Sequence, residues 1–304
     1  MRIVITGGPD GQVLRSLAER GGLAGHEIVP VGRPELDLAG SESEIGRVIE
    51  RARPGVVVSA AAYTAVDKAE DEHDLAFAIN GRGAGAVAKA TDRLGVPIIH
   101  LSTDYVFDGS KATPYTEDDV PNPVSVYGAS KLAGEKAVLA ATPNAAILRT
   151  AWVYSPFAGN FVKTMLRLAS DRDEVRVVAD QFGNPTSALD IADALLVVAA
   201  NLAGSDNERF RGTFHMTGLG QASWAEFAER IFFASAVAGG PTAKVRPISS
   251  AAYPTPARRP ANSCLDSSKL SETHDARLPD WRSSADYVVK RLVVGEARMQ
   301  GQAG

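Results

Sequence analysis

The stretch Arg2-Ile3-Val4-Ile5-Thr6-Gly7-Gly8-Pro9-Asp10-Gly11-Gln12-Val13-Leu14 decides the fold. Its apolar run Ile3-Val4-Ile5 ends in glycine, and Val13 to Arg20 then carries a helical pattern. Strand, glycine turn, helix is the opening of a dinucleotide-binding unit. Glycines let backbone approach a pyrophosphate, and the helix N-terminus supplies N–H donors and positive potential. Gly8 and Gly11 keep the expected spacing, but Leu14 stands where a third glycine belongs, and the turn is long if counted from Gly7. By itself this segment reads equally well as a plain strand-turn-helix, so the rest of the chain has to decide.

The alternation continues. His26 to Val31 reads as a second strand, Glu42 to Arg51 as a helix, and Val56 to Ser59 as a buried strand ending in Ala60-Ala61-Ala62, whose small side chains admit a ligand. Glu72 to Leu94 reads as mostly helix, Ile98 to Ser102 as a strand, and Ala145 to Arg149 as another. Strands alternating with helices imply a parallel sheet covered on both faces, with ligands beyond the carboxyl ends of the strands. Gly7–Gly11, Ala60–Thr64, Ser102–Tyr105 and Trp152 all follow such ends. The expected fold is therefore α/β: a Rossmann-like, doubly wound parallel sheet with a smaller C-terminal lobe for substrate. The sheet domain takes residues 1–150 with returning elements at about 187–216, and the lobe takes 151–186 and 217–304. Within the second half, Asn160 to Leu168, Leu189 to Ala203, Trp224 to Ala236 and Tyr287 to Val294 read as helices. Val175 to Val178 and Thr213 to Met216 read as strands, Gly239 to Ser263 as loops with short strands, and Met299 to Gly304 as a frayed end.

With 304 residues, 45% hydrophobic and 22% charged, the chain can bury a large core. A net charge of −4 gives no support to nucleic acid or an anionic membrane as main partner. Cys264 is the single cysteine, which suits a reducing cytoplasm and leaves neither a disulfide nor a cysteine-rich zinc site. The opening residues enter a strand pattern at once, so no signal peptide is expected, and no apolar run is long enough for a membrane span.

The chemistry points to Val126-Tyr127-Gly128-Ala129-Ser130-Lys131. Residues four apart share one helix face, so Tyr127 and Lys131 offer a phenol and an ammonium to one cleft. A cation lowers a phenol's pKa from its usual ~10, and a tyrosine so tuned can exchange a proton with a carbonyl or alcohol. Alone, the pattern occurs often by chance and reads first as a helix with a tyrosine and a solvated lysine.

Its neighbours weigh against that plain reading. Gly11-Gln12-Val13, Leu36-Asp37-Leu38, Ala60 to Glu70, Ser102 to Gly109, Tyr127 to Lys131, Arg149 to Tyr154, Asn160-Phe161, Asp180 to Thr186 and Arg259 to Ser263 together resemble the dTDP-4-dehydrorhamnose reductases. These are extended short-chain dehydrogenase/reductases, and the resemblance runs from Met1 to about Leu292. It implies hydride transfer from a reduced nicotinamide to the C4 carbonyl of dTDP-4-dehydro-L-rhamnose. Tyr127 would donate the proton, Lys131 would bind the nicotinamide ribose and lower the Tyr127 pKa, and Thr103 would hydrogen-bond the same carbonyl oxygen. Preplaced donors of this kind stabilise charge as it develops.

The resemblance further implies cofactor contacts at Gly8, Gly11, Gln12, Val13, Asp37, Leu38, Ala60, Ala61, Ala62 and Thr64. It implies substrate contacts at Asp104, Tyr105, Trp152, Asn160 and Arg259. Each has a plainer reading: a turn residue at Asp104, core at Trp152, solvated charge at Arg258 and Arg259. Asn80 is as readily structural as cofactor-side, and Asp67, Lys68, Glu70, Asp71 and Glu72 read as a solvated face. The histidines show no metal spacing, so no metal is expected. Some family members form metal-linked dimers, which leaves a homodimer open here. Arg33 follows the second strand where an acid would hold a 2′-hydroxyl, and Gly32 leaves room for a phosphate. NADPH is therefore expected over NADH, with NADH still usable. Two other functions fit the same fold: a non-catalytic regulatory subunit, like that of methionine adenosyltransferase, and an enzyme of another nucleotide sugar. Thr103, Tyr127 and Lys131 argue against the first, and the Ala60–Glu70 and Ser102–Gly109 runs against the second.

Overall fold

The computed structural model describes residues 1–301, with side chains through residue 295. Strands β1 (Arg2–Thr6), β2 (Glu27–Val31), β3 (Val56–Ser59), β4 (Ile98–Thr103) and β5 (Ala145–Thr150) alternate with helices. These are α1 (Gln12–Leu23), α2 (Glu42–Ala52), short α3 (Val66–Ala69), α4 (His73–Phe77), α5 (Ala84–Leu94) and α6 (Val126–Ala141). Then come β6 (Val153–Tyr154), α7 (Phe161–Asp171), β7 (Glu174–Val178), β8 (Phe182–Gly183), β9 (Thr186–Ser187), α8 (Ala188–Gly204) and β10 (Gly212–His215). The last elements are β11 (Ala222–Ser223), α9 (Trp224–Val237), β12 (Lys244–Ile248), α10 (Ser268–His274) and α11 (Trp281–Gly301).

Six parallel strands form the main sheet in the order β10-β5-β4-β3-β1-β2. The order reverses between β1 and β3, the switch point where such sheets bind ligands. Side chains alternate faces along each strand. Ile3, Ile5, Val58 and Leu148 pack with Leu17, Leu195 and Val198 of α1 and α8. Val4, Val57, Ile98 and Ile147 pack with Ile45, Ile49 and Val87 of α2 and α5. Another cluster, including Val162, Phe227, Ile231, Trp281 and Val288, lies among α7, α9 and α11.

Most boundaries fall close to the expected ones, with three differences. The helix expected from Glu72 to Leu94 is interrupted by a π-helical turn at Ala78–Gly83. Inside it, the Asn80 amide bonds both backbone groups of Tyr63 and the Ser130 hydroxyl, which draws the chain toward α6. The last helix begins earlier than expected, because Asp280 accepts from the Arg282 N–H and starts it at Trp281. It continues to Gly301, so Met299 to Gly301 are helical, and the rest of the expected frayed end lies outside the described residues. Leu14 is buried in the core instead of opening a close helix–strand approach. The glycine needed for close approach is Gly32, since a Cβ there would collide with the Gly7 carbonyl. The space at Gly32 therefore goes to backbone and not to a phosphate.

Residues 255–266 form a strap across the carboxyl edge. It is held by Tyr115 N–H to Cys264 O (2.7 Å), Phe182 N–H to Ala261 O (2.8 Å) and Leu265 N–H to Asn184 Oδ1 (2.8 Å). Beneath it, α6 is fixed to the sheet by a buried ion pair. Arg149 of β5 donates to Glu135 of α6 from Nε (2.9 Å) and Nη2 (2.7 Å), and Ser102 of β4 donates to the same carboxylate (2.5 Å). Arg149→Met would leave Glu135 buried and unpaired, and is expected to cost about 3–5 kcal/mol in urea unfolding, most of it regained in Arg149→Met/Glu135→Met. A loss no larger than that of an exposed pair, about 1 kcal/mol or less, would refute the brace.

Candidate functional site

Gly11 caps α1 with no side-chain hydrogen bond, so the first-turn N–H groups of this helix, which have no intrahelical partner, face the glycine turn. That is the feature a pyrophosphate needs, and the residues present fit a dinucleotide in this respect. Gly8, Gly11 and the half-buried Ala60, Ala61 and Ala62 flank the β1/β3 switch point, with Thr64 exposed beyond them. The Thr6 hydroxyl accepts from the N–H groups of Ala60 and Ala61 at 3.0 Å each, fixing one strand end to the other. Val13 packs on the core below the turn. The Gln12 side chain turns away from it, accepting from Ser155 Oγ (2.8 Å) and Asn160 Nδ2 (3.1 Å).

At the end of β2, exposed Arg33 donates to Asp37 (3.1 Å), whose carboxylate also accepts from the Ala39 N–H and is held below its ordinary pKa by that bond first and by Arg33 second. The Leu38 side chain is in the core, so only its backbone is available to a cofactor.

Tyr127 and Lys131 lie on one face of α6, whose N-terminus is capped by Ser125 through the Gly128 N–H (3.1 Å). Gly128 permits close contact, because a Cβ there would overlap the Tyr105 carbonyl. Glu70 accepts from the Val126 N–H (2.9 Å), adding a carboxylate at the positive helix end. Thr103 ends β4. Its hydroxyl accepts from the Tyr105 N–H (3.2 Å) and donates to Asp104 Oδ1 (3.0 Å).

Here burial dominates the electrostatics. The Lys131 ammonium is buried and donates to the Leu101 carbonyl at 2.6 Å. Burial pulls its pKa down to about 8, against the Glu135 carboxylate, which favours the charged form. The phenol of Tyr127 is not lowered: burial pushes it up to about 12, opposed by the neighbouring Thr103 hydroxyl and reinforced by Asp104. Desolvation outweighs any help from Lys131, and the phenol stays neutral.

Asp104 is buried, and burial raises its carboxyl to about 6 in spite of the hydrogen bond from Thr103 to Oδ1, while Oδ2 has no partner. Tyr105 packs edge-on against Tyr127, with centroids 5.6 Å apart, and the Arg259 charge partly opposes the rise that burial imposes on its phenol. Arg259 in turn lines a cleft of 630 Å³ walled by Phe161, Met165, Val177, Trp224 and Tyr253. Sequence reasoning missed those apolar walls, which carry no motif and read as ordinary helix and strand core.

Two expected substrate residues are otherwise engaged. Trp152 stacks on Trp224 (centroids 3.5 Å, interplanar angle 5°), so one indole face is already covered. Asn160 caps α7 through the Lys163 N–H, and its amide donates to Gln12, Ser155 and Phe157. Asn80 is a tie between Tyr63 and Ser130, and Arg258 is exposed.

The acidic run is no mere solvated face. Asp67 pairs with Arg259 (2.9 Å), Glu70 caps α6, and Glu72 accepts from the Tyr63 hydroxyl (2.7 Å). His100 and His215 are buried, and burial lowers both pKa values. Among the described residues no three His, Cys, Asp or Glu side chains gather as for a metal, and no helix is long and apolar enough to cross a membrane.

A doubly wound sheet with a Tyr-x-x-x-Lys pair, its tyrosine half-buried and its lysine buried, and a strand-end threonine is the architecture of the short-chain dehydrogenase/reductases. A family model described as RmlD substrate binding domain matches residues 1–294. The chain is 51% identical to a dTDP-4-dehydrorhamnose reductase of Sinorhizobium fredii, over 97% of this chain and 98% of that protein. The crystal structure of a dTDP-4-dehydrorhamnose reductase from Clostridium acetobutylicum superposes with a TM-score of 0.87 at 38% identity, covering 96% of this chain and 99% of the other. One from Bacillus anthracis, in complex with NADP, gives 0.86 at 36% identity, covering 94% and 98%. The chain belongs to the dTDP-4-dehydrorhamnose reductase family.

The raised Asp104 carboxyl has a consequence for stability. A carboxyl whose folded pKa lies above the unfolded value of 3.8 binds its proton more tightly in the native state. Its contribution is full below that value and is lost as pH rises through about 6. Asp104→Asn should therefore be more stable than wild type at pH 8, by an amount on the order of 3 kcal/mol, and about equal at pH 3.5. Equal unfolding midpoints at both pH values would refute the burial cost.

Proposed function

We propose that the protein reduces the C4 keto group of dTDP-4-dehydro-L-rhamnose to give dTDP-L-rhamnose, using NADPH, with NADH as a usable substitute. The observation that carries this is the half-buried Tyr127 and buried Lys131 on one face of α6, with Tyr105 packed on Tyr127 and Arg259 lining a cleft of 630 Å³. When bound, the reduced nicotinamide supplies the hydride. Tyr127, held neutral by its dry surroundings, donates its proton to the carbonyl oxygen as negative charge builds there. The Thr103 hydroxyl steadies the same oxygen. Lys131 turns its ammonium to the nicotinamide ribose and restores positive charge next to the phenol. The Gly8–Val13 backbone, Ala60 to Ala62 and Thr64 hold the rest of the cofactor, with Arg33, Asp37 and the Leu38 backbone at its adenosine end. Asp104 and Tyr105 contact the sugar, and Arg259 the diphosphate, for which a guanidinium fork is suited.

In this reading residues 1–150 with the return at 187–216 hold the cofactor, and 151–186 with 217–304 hold the substrate. Pairing of β10 with β5 supports that division, and the single cysteine agrees with a cytoplasmic setting. Trp152 and Asn160 serve the site from behind, shaping the cleft wall and the start of α7.

The direct test is NADPH oxidation, followed by absorbance, on adding dTDP-4-dehydro-L-rhamnose. Tyr127→Phe keeps the ring and deletes the proton, and turnover should fall by roughly 10²–10⁴ with cofactor binding retained. More than about a tenth of wild-type activity would assign the proton to another group.

Cofactor choice gives a further test. Arg33 is exposed and bonded only to Asp37 at 3.1 Å, so it is free to turn to a 2′-phosphate. Such a bond favours NADPH by roughly ten- to a hundredfold. The ratio of kcat/KM for NADPH and NADH should collapse toward one in Arg33→Ala, and a ratio that does not change would place Arg33 in solvent.

A further inference from the structure

Asp67 and Arg259 are separated by 192 residues, yet one carboxylate grips the strap at two points. Its Oδ2 accepts from Arg259 Nη2 (2.9 Å) and its Oδ1 from the Ala257 N–H (3.2 Å). The bond from Arg259, first among several causes, holds the Asp67 carboxyl below its ordinary range. The Arg259 side chain is 22% exposed and lines the 630 Å³ cleft, and its charge favours the ionised form of the Tyr105 phenol, whose ring abuts Tyr127. A ligand with its carbonyl at Tyr127 and its base in the cleft must carry its linking diphosphate past this guanidinium. Arginine has five N–H donors, so bonds to Asp67 and the Ala257 carbonyl leave others for phosphate oxygens.

We propose that Asp67 is the positioning residue that fixes Arg259 for the substrate's diphosphate; this rests on the reading of Arg259 given above. A free arginine on a strap samples many rotamers, and ordering it at the moment of binding would weaken binding. Asp67 removes that cost beforehand by holding the fork against the strap's own backbone. It touches neither the reacting carbonyl nor the nicotinamide side, so its effect belongs to substrate affinity and leaves the chemical step alone.

The test compares inhibition by dTDP with inhibition by thymidine, which has the base and sugar but no phosphate. In Asp67→Asn the Ala257 N–H keeps an oxygen acceptor, but the guanidinium loses its carboxylate. KM for the sugar nucleotide and the inhibition constant of dTDP should rise about tenfold, the worth of one charged hydrogen bond, with kcat held within about twofold. Thymidine inhibition and KM for NADPH should not move. Arg259→Met should weaken dTDP selectively, and Asp67→Asn/Arg259→Met should be no worse than Arg259→Met alone. If Arg259→Met weakens dTDP but Asp67→Asn leaves it unchanged or tightens it, the positioning role is overturned while the diphosphate reading stands. Equal weakening of dTDP and thymidine in Asp67→Asn would also overturn it, since that is general damage to the cleft. If Arg259→Met leaves the ratio of dTDP to thymidine unchanged, the diphosphate reading itself falls, and the role of Asp67 with it.

Discussion

The arrangement of the whole site depends on the buried contact among Arg149, Glu135 and Ser102. A buried ion pair gains little net stability over an apolar pair of the same shape. What this one supplies is an angle. Glu135 lies four residues beyond Lys131 and eight beyond Tyr127 on α6, so the bidentate grip from β5 and the bond from β4 set the rotation of the helix above the strand ends. With that rotation fixed, Lys131 reaches the Leu101 carbonyl and Tyr127 neighbours the Thr103 hydroxyl. Arg149 also lies over the Phe107 ring, 5.2 Å from its centroid, which shelters the pair from water.

The same dryness shapes the chemistry. Burial moves the phenol up and the ammonium down, both toward neutral forms. A site so poor in water strengthens every charge placed in it later. The reacting groups are therefore most responsive to a cofactor and substrate that bring charges of their own, and least able to act without them.

The sheet was legible from alternation alone, because parallel strands buried on both faces read as short apolar runs such as Val56 to Ser59. The catalytic helix was legible because a four-residue spacing is local. The contacts of Asp67 and Glu70 were not: a carboxylate's partner can lie far along the chain, and a cluster of acids looks the same in sequence whether solvated or engaged. Gly32 was read as room for a ligand, but backbone fills that room. Trp152 and Asn160 were read as substrate contacts, and the stacking of one and the capping by the other are contacts that no local motif announces. The phenol's environment was legible only in part, because sequence names a neighbouring cation and says nothing about desolvation.

The strap also orders the site in time. A chain leaving the ribosome carries the glycine turn, Thr103, Tyr127 and Lys131 well before it carries residues 255–266. The strands from β1 to β5 can pair among themselves, whereas β10 joins the sheet edge later and the strap later still. Closing so long a loop adds only a slowly growing entropy cost, so the delay is one of synthesis. During that interval the nascent protein has its proton-transfer groups but lacks the arginine that faces the cleft, so the redox half of the machinery is translated before the half that selects a substrate.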